Sequence, residues 1–240
     1  GVFGRGDHRF SDLLYREIPM LARFEAYPEA PIAWSLGPPG TAEAWRLSWN
    51  GKGFDLRMSD AERGIALELS TRPAKPLVLQ GPGGLSRKGG EAQAASYYYS
   101  FPRLETEGTV TIDGSRHAVG GTSWMDREFS TSQLQRDQTG WDWFGLRLDD
   151  GRDLMLYILR GRENAADFRK ATLITSEGEA RYLEEKDWTI RAPGSWRSPH
   201  SGTRYPARWI LEIPSEQLRV DIVPLLADQE NVGSRAARLH

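Results

Sequence analysis

The sequence predicts an all-β protein built from antiparallel strands, and three observations carry that expectation. Short stretches of alternating apolar and polar residues recur along the chain, turn dipeptides stand between them, and helical periodicity is weak. Near the start, Ser11 is a candidate N-cap for one short helix through Leu13, Leu14 and Ile18, which Pro19 would interrupt. Trp45, Leu47 and Trp49 then alternate with polar residues up to Asn50-Gly51, and Phe54, Leu56 and Met58 alternate beyond it, which together read as a hairpin. Ile65, Leu67 and Leu69 extend the meander. Asp113-Gly114 joins Val110/Ile112 to His117/Val119, and Asp150-Gly151 joins Trp141 to Leu148 with Leu154 to Leu159. Towards the C-terminus Tyr205, Ala207, Trp209, Leu211 and Ile213 share one strand face while Arg204, Arg208 and Glu212 take the other, and Leu218, Val220 and Ile222 repeat the pattern. The stretches 37–40 and 81–90, rich in Gly and Pro, read as loops and match no phosphate-cradling spacing.

Composition narrows the function classes. With 240 residues, the chain is long enough for two modest domains or one large barrel. A formal net charge of -2 and 27% charged residues give nucleic acid no electrostatic footprint, so no DNA or RNA partner is expected. No stretch approaches the roughly 18 consecutive apolar residues of a spanning helix, and the first residues carry no export signal, so the sequence predicts a soluble chain without a transmembrane segment. The absence of cysteine excludes disulfides, thiolate metal sites and a cysteine nucleophile. His8, His117, His200 and His240 lie far apart without metal-ligand spacing, and no Gly-x-Ser-x-Gly elbow is present, so neither a metal nor a serine hydrolase is expected. Nine Trp and eight Tyr imply a large aromatic core or an aromatic-lined cavity.

Three segments concentrate unusual residues. In the run 95–104, alternation sends Tyr97 and Tyr99 to one face and Tyr98 to the other; in the run 120–130 it puts Trp124, Asp126 and Glu128 on one face; the third segment is Gly140-Trp141-Asp142-Trp143-Phe144. A carboxylate among aromatics on an inward face is costly to bury ionised, so a raised pKa is expected unless Arg127, Arg103 or another cation pairs with it. Asp126 therefore reads in two ways, as a buried proton donor or as one end of a buried salt bridge. Trp141 and Trp143 read first as core residues, and Asp142 and Glu128 as helper carboxylates or as partners of backbone donors and arginines.

At these segments the chain resembles a family. The runs Leu77-Val78-Leu79-Gln80-Gly81, Gly84-Leu85-Ser86-Arg87-Lys88-Gly89, Ala95-Ser96-Tyr97-Tyr98-Tyr99-Ser100, Ser123-Trp124-Met125-Asp126-Arg127-Glu128-Phe129-Ser130 and Gly140-Trp141-Asp142-Trp143-Phe144 are similar to AttH-like predicted secreted hydrolases. These are relatives of hydroxyneurosporene synthase, the CrtC carotenoid 1,2-hydratase. The likeness extends over residues 30 to 231, but the family has further opening strands before this point and a Tyr-Trp-Glu-Gly-type strand after it, so an N-terminal truncation and a missing or replaced last strand are expected. The resemblance implies two lipocalin-like antiparallel β-barrel or sandwich domains side by side, residues 1–133 and 134–240, with the first incomplete. It also implies an apolar small-molecule ligand such as an isoprenoid, lipid or polyketide, no cofactor, and a periplasmic or secreted location; oligomeric state is unreadable. Asp126 stands where the hydratase branch has its proton-donating acid, and Tyr97 and Tyr99 stand where that branch has His and Trp.

The chemistry this implies is hydration or cyclisation of an alkene. Asp126 would donate a proton from an apolar pocket, and the rings of Trp124, Tyr97 or Trp143 would stabilise the cation. Candidate ligand-binding residues are Tyr97, Tyr99, Trp124, Trp143, Arg103 and Glu128. The alternatives are a non-catalytic lipocalin-type carrier, which needs the cavity but not the acid, and an envelope accessory protein with a filled interior.

Overall fold

The computed structural model describes residues 2–3, 8–10, 22–25, 32–37, 44–91, 93–130, 135, 137–162 and 166–230. The helix expected from Ser11 to Ile18 and most of the loop 37–40 lie outside them. Among the described residues every regular element is a β-strand or a short 3-10 turn, and all strand pairs are antiparallel. The chain divides into two compact units, Arg16–Leu183, and Gly1–Tyr15 together with Glu184–His240. In the second of these, β1 (Val2–Phe3) pairs with β2 (His8–Phe10).

The larger unit begins with nine strands in one sheet. They are β3 (Ala22–Phe24), β4 (Ala33–Leu36), β5 (Ala44–Trp49), β6 (Phe54–Asp60), β7 (Ile65–Pro73), β8 (Val78–Leu79), β9 (Leu85–Arg87), β10 (Ala95–Ile112) and β11 (Ser115–Phe129). Their order is β11-β10-β7-β6-β5-β4-β3, with β8 and β9 also paired to β10. The expected turns are present for the expected reasons. Gly51 has φ 91°, and the Asn50 side-chain oxygen accepts the N–H groups of Lys52 and Gly53 at 3.0 and 2.9 Å. Asp113 and Gly114 both adopt positive φ, 51° and 75°, closing the tight turn between β10 and β11. The segment 81–90 is more than the loop expected of it, because β9 lies within it and pairs Leu85, Ser86 and Arg87 with Tyr97, Ser96 and Ala95.

Strand β10 is the spine, and one irregularity in it decides which side chains meet. From Ile112 opposite Ser115 to Leu104 opposite Ser123 the ladder with β11 is regular, but Phe101 then faces Met125. Pro102 and Arg103 thus stand against the single residue Trp124, which is a β-bulge at a residue that has no N–H to give. Beyond the bulge the pairs are Ser100 with Asp126 and Tyr98 with Glu128. On one face of the sheet Ile32, Phe54, Phe101 and Leu104 form a buried cluster, joined by Leu47, Trp49, Leu56, Leu77, Tyr99 and Met125. Burying each such side chain contributes roughly 1.5–3 kcal/mol.

A four-stranded meander completes this unit: β12 (Gly140–Arg147), β13 (Asp153–Arg160), β14 (Ala166–Ile174) and β15 (Ala180–Leu183). The apolar run of β13 is buried on both faces, and its Met155, Tyr157 and Leu159 pack against Tyr98 of β10, with Trp124 and Phe168 alongside. One fully buried charge ties the two sheets of the unit. Asp153, with no exposed surface, binds Lys75 Nζ at 2.5 Å and Arg103 at 3.0 Å, while Lys75 also donates to the carbonyls of Gly151 and Thr175.

The smaller unit also contains the sheet of β16 (Thr189–Arg197), β17 (Arg204–Ile213) and β18 (Leu218–Ile222), in that order. On β17, Leu211 and Ile213 are fully buried while Arg204 and Arg208 stay exposed, as the alternation predicts, whereas Ile210 is also buried and Tyr205 is 39% exposed.

Candidate functional site

The larger unit holds a cleft of about 550 Å³ lined by Lys88, Tyr98, Asp126, Glu128, Trp141, Trp143, Tyr157 and Leu159. Register explains its walls. Trp141 and Trp143 of β12 stand opposite Leu159 and Tyr157 of β13, so these four share one face. The β10–β11 hairpin contributes Tyr98, Asp126 and Glu128, and Lys88 follows β9, its backbone fixed by Lys88 N–H to Ala94 O and by Gln138 Nε2 to Lys88 O. At Gly145 of β12 an added Cβ would lie 2.7 Å from the Trp143 ring and 3.2 Å from that of Trp124. Only glycine lets these two indoles pack edge to face, with centroids 6.3 Å apart.

Three donors converge on one oxygen. Trp124 Nε1 at 2.8 Å, Tyr98 OH at 3.0 Å and Ser100 Oγ at 2.5 Å all donate to Asp126 Oδ1. Two longer chains feed them: Trp143 Nε1 donates to Tyr98 OH at 3.0 Å, and Gln80 Nε2 donates to Ser100 Oγ at 2.9 Å. Gln80 and Ser100 are almost wholly buried, so this branch is rigid. Burial first, and the Asp126 charge second, push the Tyr98 phenol far above its ordinary value, which keeps it a donor. Oδ2 of Asp126 takes none of these bonds. A proton on this carboxyl group therefore belongs on Oδ2.

Glu128 is the second carboxylate of the cleft. It binds Lys88 Nζ at 2.6 Å and accepts a short hydrogen bond from Ser96 Oγ. Lys88 is only 6% exposed, and its ammonium lies 4.2 Å from the ring centre of Tyr157 and 5.3 Å from that of Tyr98. Tyr157 OH donates to Arg87 O at 2.5 Å, and burial, more than the nearby Glu128 charge, pushes its phenol up to about 12. Since an unfolded tyrosine ionises near 10, the unfolded chain releases a proton between about pH 10 and 12 that the folded chain retains. The stability this group contributes is present below pH 10 and is lost as pH rises towards 12. Denaturant midpoints measured across that window are expected to fall, and Tyr157→Phe to flatten the fall.

Several expectations need correction. Asp126 is exposed along the cleft rather than buried. Trp141 and Trp143, expected in the core, are 58% and 41% exposed and form the cleft wall. Tyr97 points to the opposite face and is 64% exposed, and Tyr99 packs against Phe101 and Phe129, so neither lines this cleft. Arg103 is held by Asp153, because a buried carboxylate needs its counter-charges close. Asp142 lies on the other face of β12, where burial raises its pKa against the lowering effect of Arg160. Trp124, Asp126, Glu128 and Trp143 are brought together. Sequence reasoning did not select Lys88, Tyr98, Trp141 or Tyr157 for the site; the signal for Tyr98 was its parity opposite Tyr97 and Tyr99, and for Lys88 it was its place in the family-like run 84–89.

Residues 7–237 match the model of the AttH-like family. The chain belongs to the AttH-like family. A solved AttH-like protein of Nitrosomonas europaea shares 33% identity with it at a TM-score of 0.74, over 81% of this chain and 59% of the other. Kievitone hydratase of Nectria haematococca shares its fold at a TM-score of 0.58 and 20% identity, over 75% of this chain and 55% of that one. The dehydratase asqC of Emericella nidulans is 23% identical over 192 residues, 76% of this chain and 52% of the dehydratase. This AttH-like chain thus spans little more than half the length of these relatives. No helix among its described residues is long and apolar enough to cross a membrane.

Proposed function

We propose that this protein adds water to, or removes it from, a carbon–carbon bond of an apolar small molecule held in the cleft, with Asp126 moving the proton. The observation that carries this reading is the convergence of Trp124, Tyr98 and Ser100 on Oδ1, which fixes the carboxyl group and leaves Oδ2 for exchange with a ligand. An acid enclosed and kept neutral by apolar walls is not part of the reading, because Asp126 is exposed. Trp141 and Trp143 offer ring faces to an apolar ligand, and Glu128 with Lys88 offers polar contacts for a hydroxyl or a water. A hydratase and a dehydratase among the relatives support the same reaction class. In this reading the sheets belong to two lipocalin-like domains.

A non-catalytic carrier is the second reading, favoured by the exposure of Trp141 and Trp143, since a carrier needs the aromatic wall and no proton transfer. The test is to incubate the full-length protein with a lipid extract in water labelled with heavy oxygen and identify the retained molecules by mass spectrometry. A retained molecule that has gained heavy oxygen or lost the elements of water, and neither change with Asp126→Asn, is expected. Retention of the same molecule unaltered by both proteins establishes the carrier instead.

A further inference from the structure

We propose that Gln80, which does not line the cleft, is a positioning residue for the reaction: its side-chain amide aims the Ser100 hydroxyl at Asp126 Oδ1 and so keeps Oδ2 as the oxygen that meets the ligand. The inference rests on the proposed water chemistry and adds to it a residue that acts through another.

Register brings the amide to its place. Val78 and Leu79 of β8 pair with Ser100 and Tyr99, and Gln80 N–H continues the ladder by donating to Tyr98 O at 2.9 Å. Gln80 therefore shares a sheet face with Tyr98, Ser100 and Asp126. The chain turns directly behind it at Gly81, which has φ 111° and where an added Cβ would lie 2.3 Å from Leu85 O.

Two properties of this amide point beyond packing. Gln80 is 1% exposed and Ser100 has no exposed surface, so polar groups fill a place that an aliphatic side chain would fill without losing contacts to water. Only half of the amide is engaged: Nε2 donates to Ser100 Oγ at 2.9 Å, whereas the buried Oε1 meets no donor among the described residues. A buried unpaired carbonyl lowers stability, so the amide is explained by what its nitrogen does.

That nitrogen sets a direction. Ser100 has a single hydroxyl hydrogen, and a buried serine readily spends it on a nearby backbone carbonyl. With Nε2 donating to its oxygen, the hydroxyl gives its hydrogen to Asp126 Oδ1 at 2.5 Å. An amide turned the other way would present Oε1 to Ser100 and draw that hydrogen off Asp126. One buried amide thus fixes one of the three bonds that hold the carboxyl group in place.

The test compares Gln80→Leu and Gln80→Glu with the full-length parent. Conversion is read on the component of a lipid extract that the parent alters in water labelled with heavy oxygen, beside denaturant midpoints and the indole N–H resonances. For Gln80→Leu, kcat is expected to fall about 10–10²-fold with KM nearly unchanged, the loss that misplacing a reacting group produces. Its midpoint is expected to be no lower than the parent's, because the unpaired carbonyl leaves with the amide. The Trp124 resonance, assigned by its loss in Trp124→Phe, is expected to move, since its indole donates to the same oxygen; that of Trp45, which donates to Ser59 O, stays. Gln80→Glu keeps the shape and reverses the direction: a carboxylate there accepts from Ser100, whereas the neutral acid donates as the amide does. Its turnover relative to the parent is therefore expected to recover as pH falls, which a residue that only fills space does not do. Parental kcat in a folded Gln80→Leu, or a midpoint that falls along with turnover, overturns the inference and leaves the water chemistry standing. A parent that alters no molecule of the extract overturns the water chemistry instead, and a Trp124 resonance that still moves in Gln80→Leu then upholds Gln80 as the residue that positions Asp126.

Discussion

Asp126→Asn is expected to lower turnover by about 10²–10⁴-fold while leaving ligand affinity nearly unchanged. The amide keeps an oxygen that can accept the bonds from Trp124 Nε1, Tyr98 OH and Ser100 Oγ, so the side chain stays in place. What it loses is the second oxygen, and with it the capacity to take up and return a proton. The measurement is steady-state turnover beside a titration of tryptophan fluorescence, which Trp141 and Trp143 make sensitive to occupancy of the cleft. Equal turnover by the two proteins sinks the proton-transfer role of Asp126. Loss of binding together with turnover assigns Asp126 to holding the ligand or the cleft instead.

The largest effect on stability is expected at a residue outside the cleft. Asp153→Ala leaves the ammonium of Lys75, whose side chain is 4% exposed, and the guanidinium of Arg103 without their shared counter-charge. Breaking a buried pair from one side costs about 3–5 kcal/mol, which for a unit of this size lowers the melting temperature by about 10 °C. The cost arises from the stranded cations rather than from the value of the ion pair. A triple change, Lys75→Met, Arg103→Met and Asp153→Leu, is therefore expected to recover most of the loss. Calorimetry of the three proteins decides it: a single variant as stable as the parent shows that solvent reaches the two cations.

The two variants also separate the functions of the arginine and the aspartates that sequence reasoning had grouped. Arg103 was a candidate ligand contact and the candidate partner of Asp126. It instead belongs to Asp153, so Asp153→Ala acts on the join between the two sheets of the larger unit, and Asp126→Asn acts on the cleft.

Strand alternation and turn chemistry by themselves determined the β class, the three hairpin turns at Asn50-Gly51, Asp113-Gly114 and Asp150-Gly151, and the shared face of Trp124, Asp126 and Glu128, because each depends only on residues near one another in the chain. Which tyrosine meets Asp126 was not local. Counting outward from the Asp113-Gly114 turn in regular register puts Phe101 opposite Asp126 and carries Tyr99 and Tyr97 to its face. The bulge at Pro102 and Arg103 adds one residue to β10, and because side chains alternate with a period of two, that residue turns Tyr98 and Ser100 towards Asp126 and Tyr97 and Tyr99 away. Lys88 was equally hidden. A lysine in a Gly-rich stretch reads as solvated loop until β9 pairs with β10 and draws its ammonium between two tyrosine rings and beside a carboxylate, an environment supplied by residues 10 to 69 positions away in sequence. Period and turn type act over a few residues, whereas the side chains that line a cleft come from distant strands, and only their packing brings them to one place.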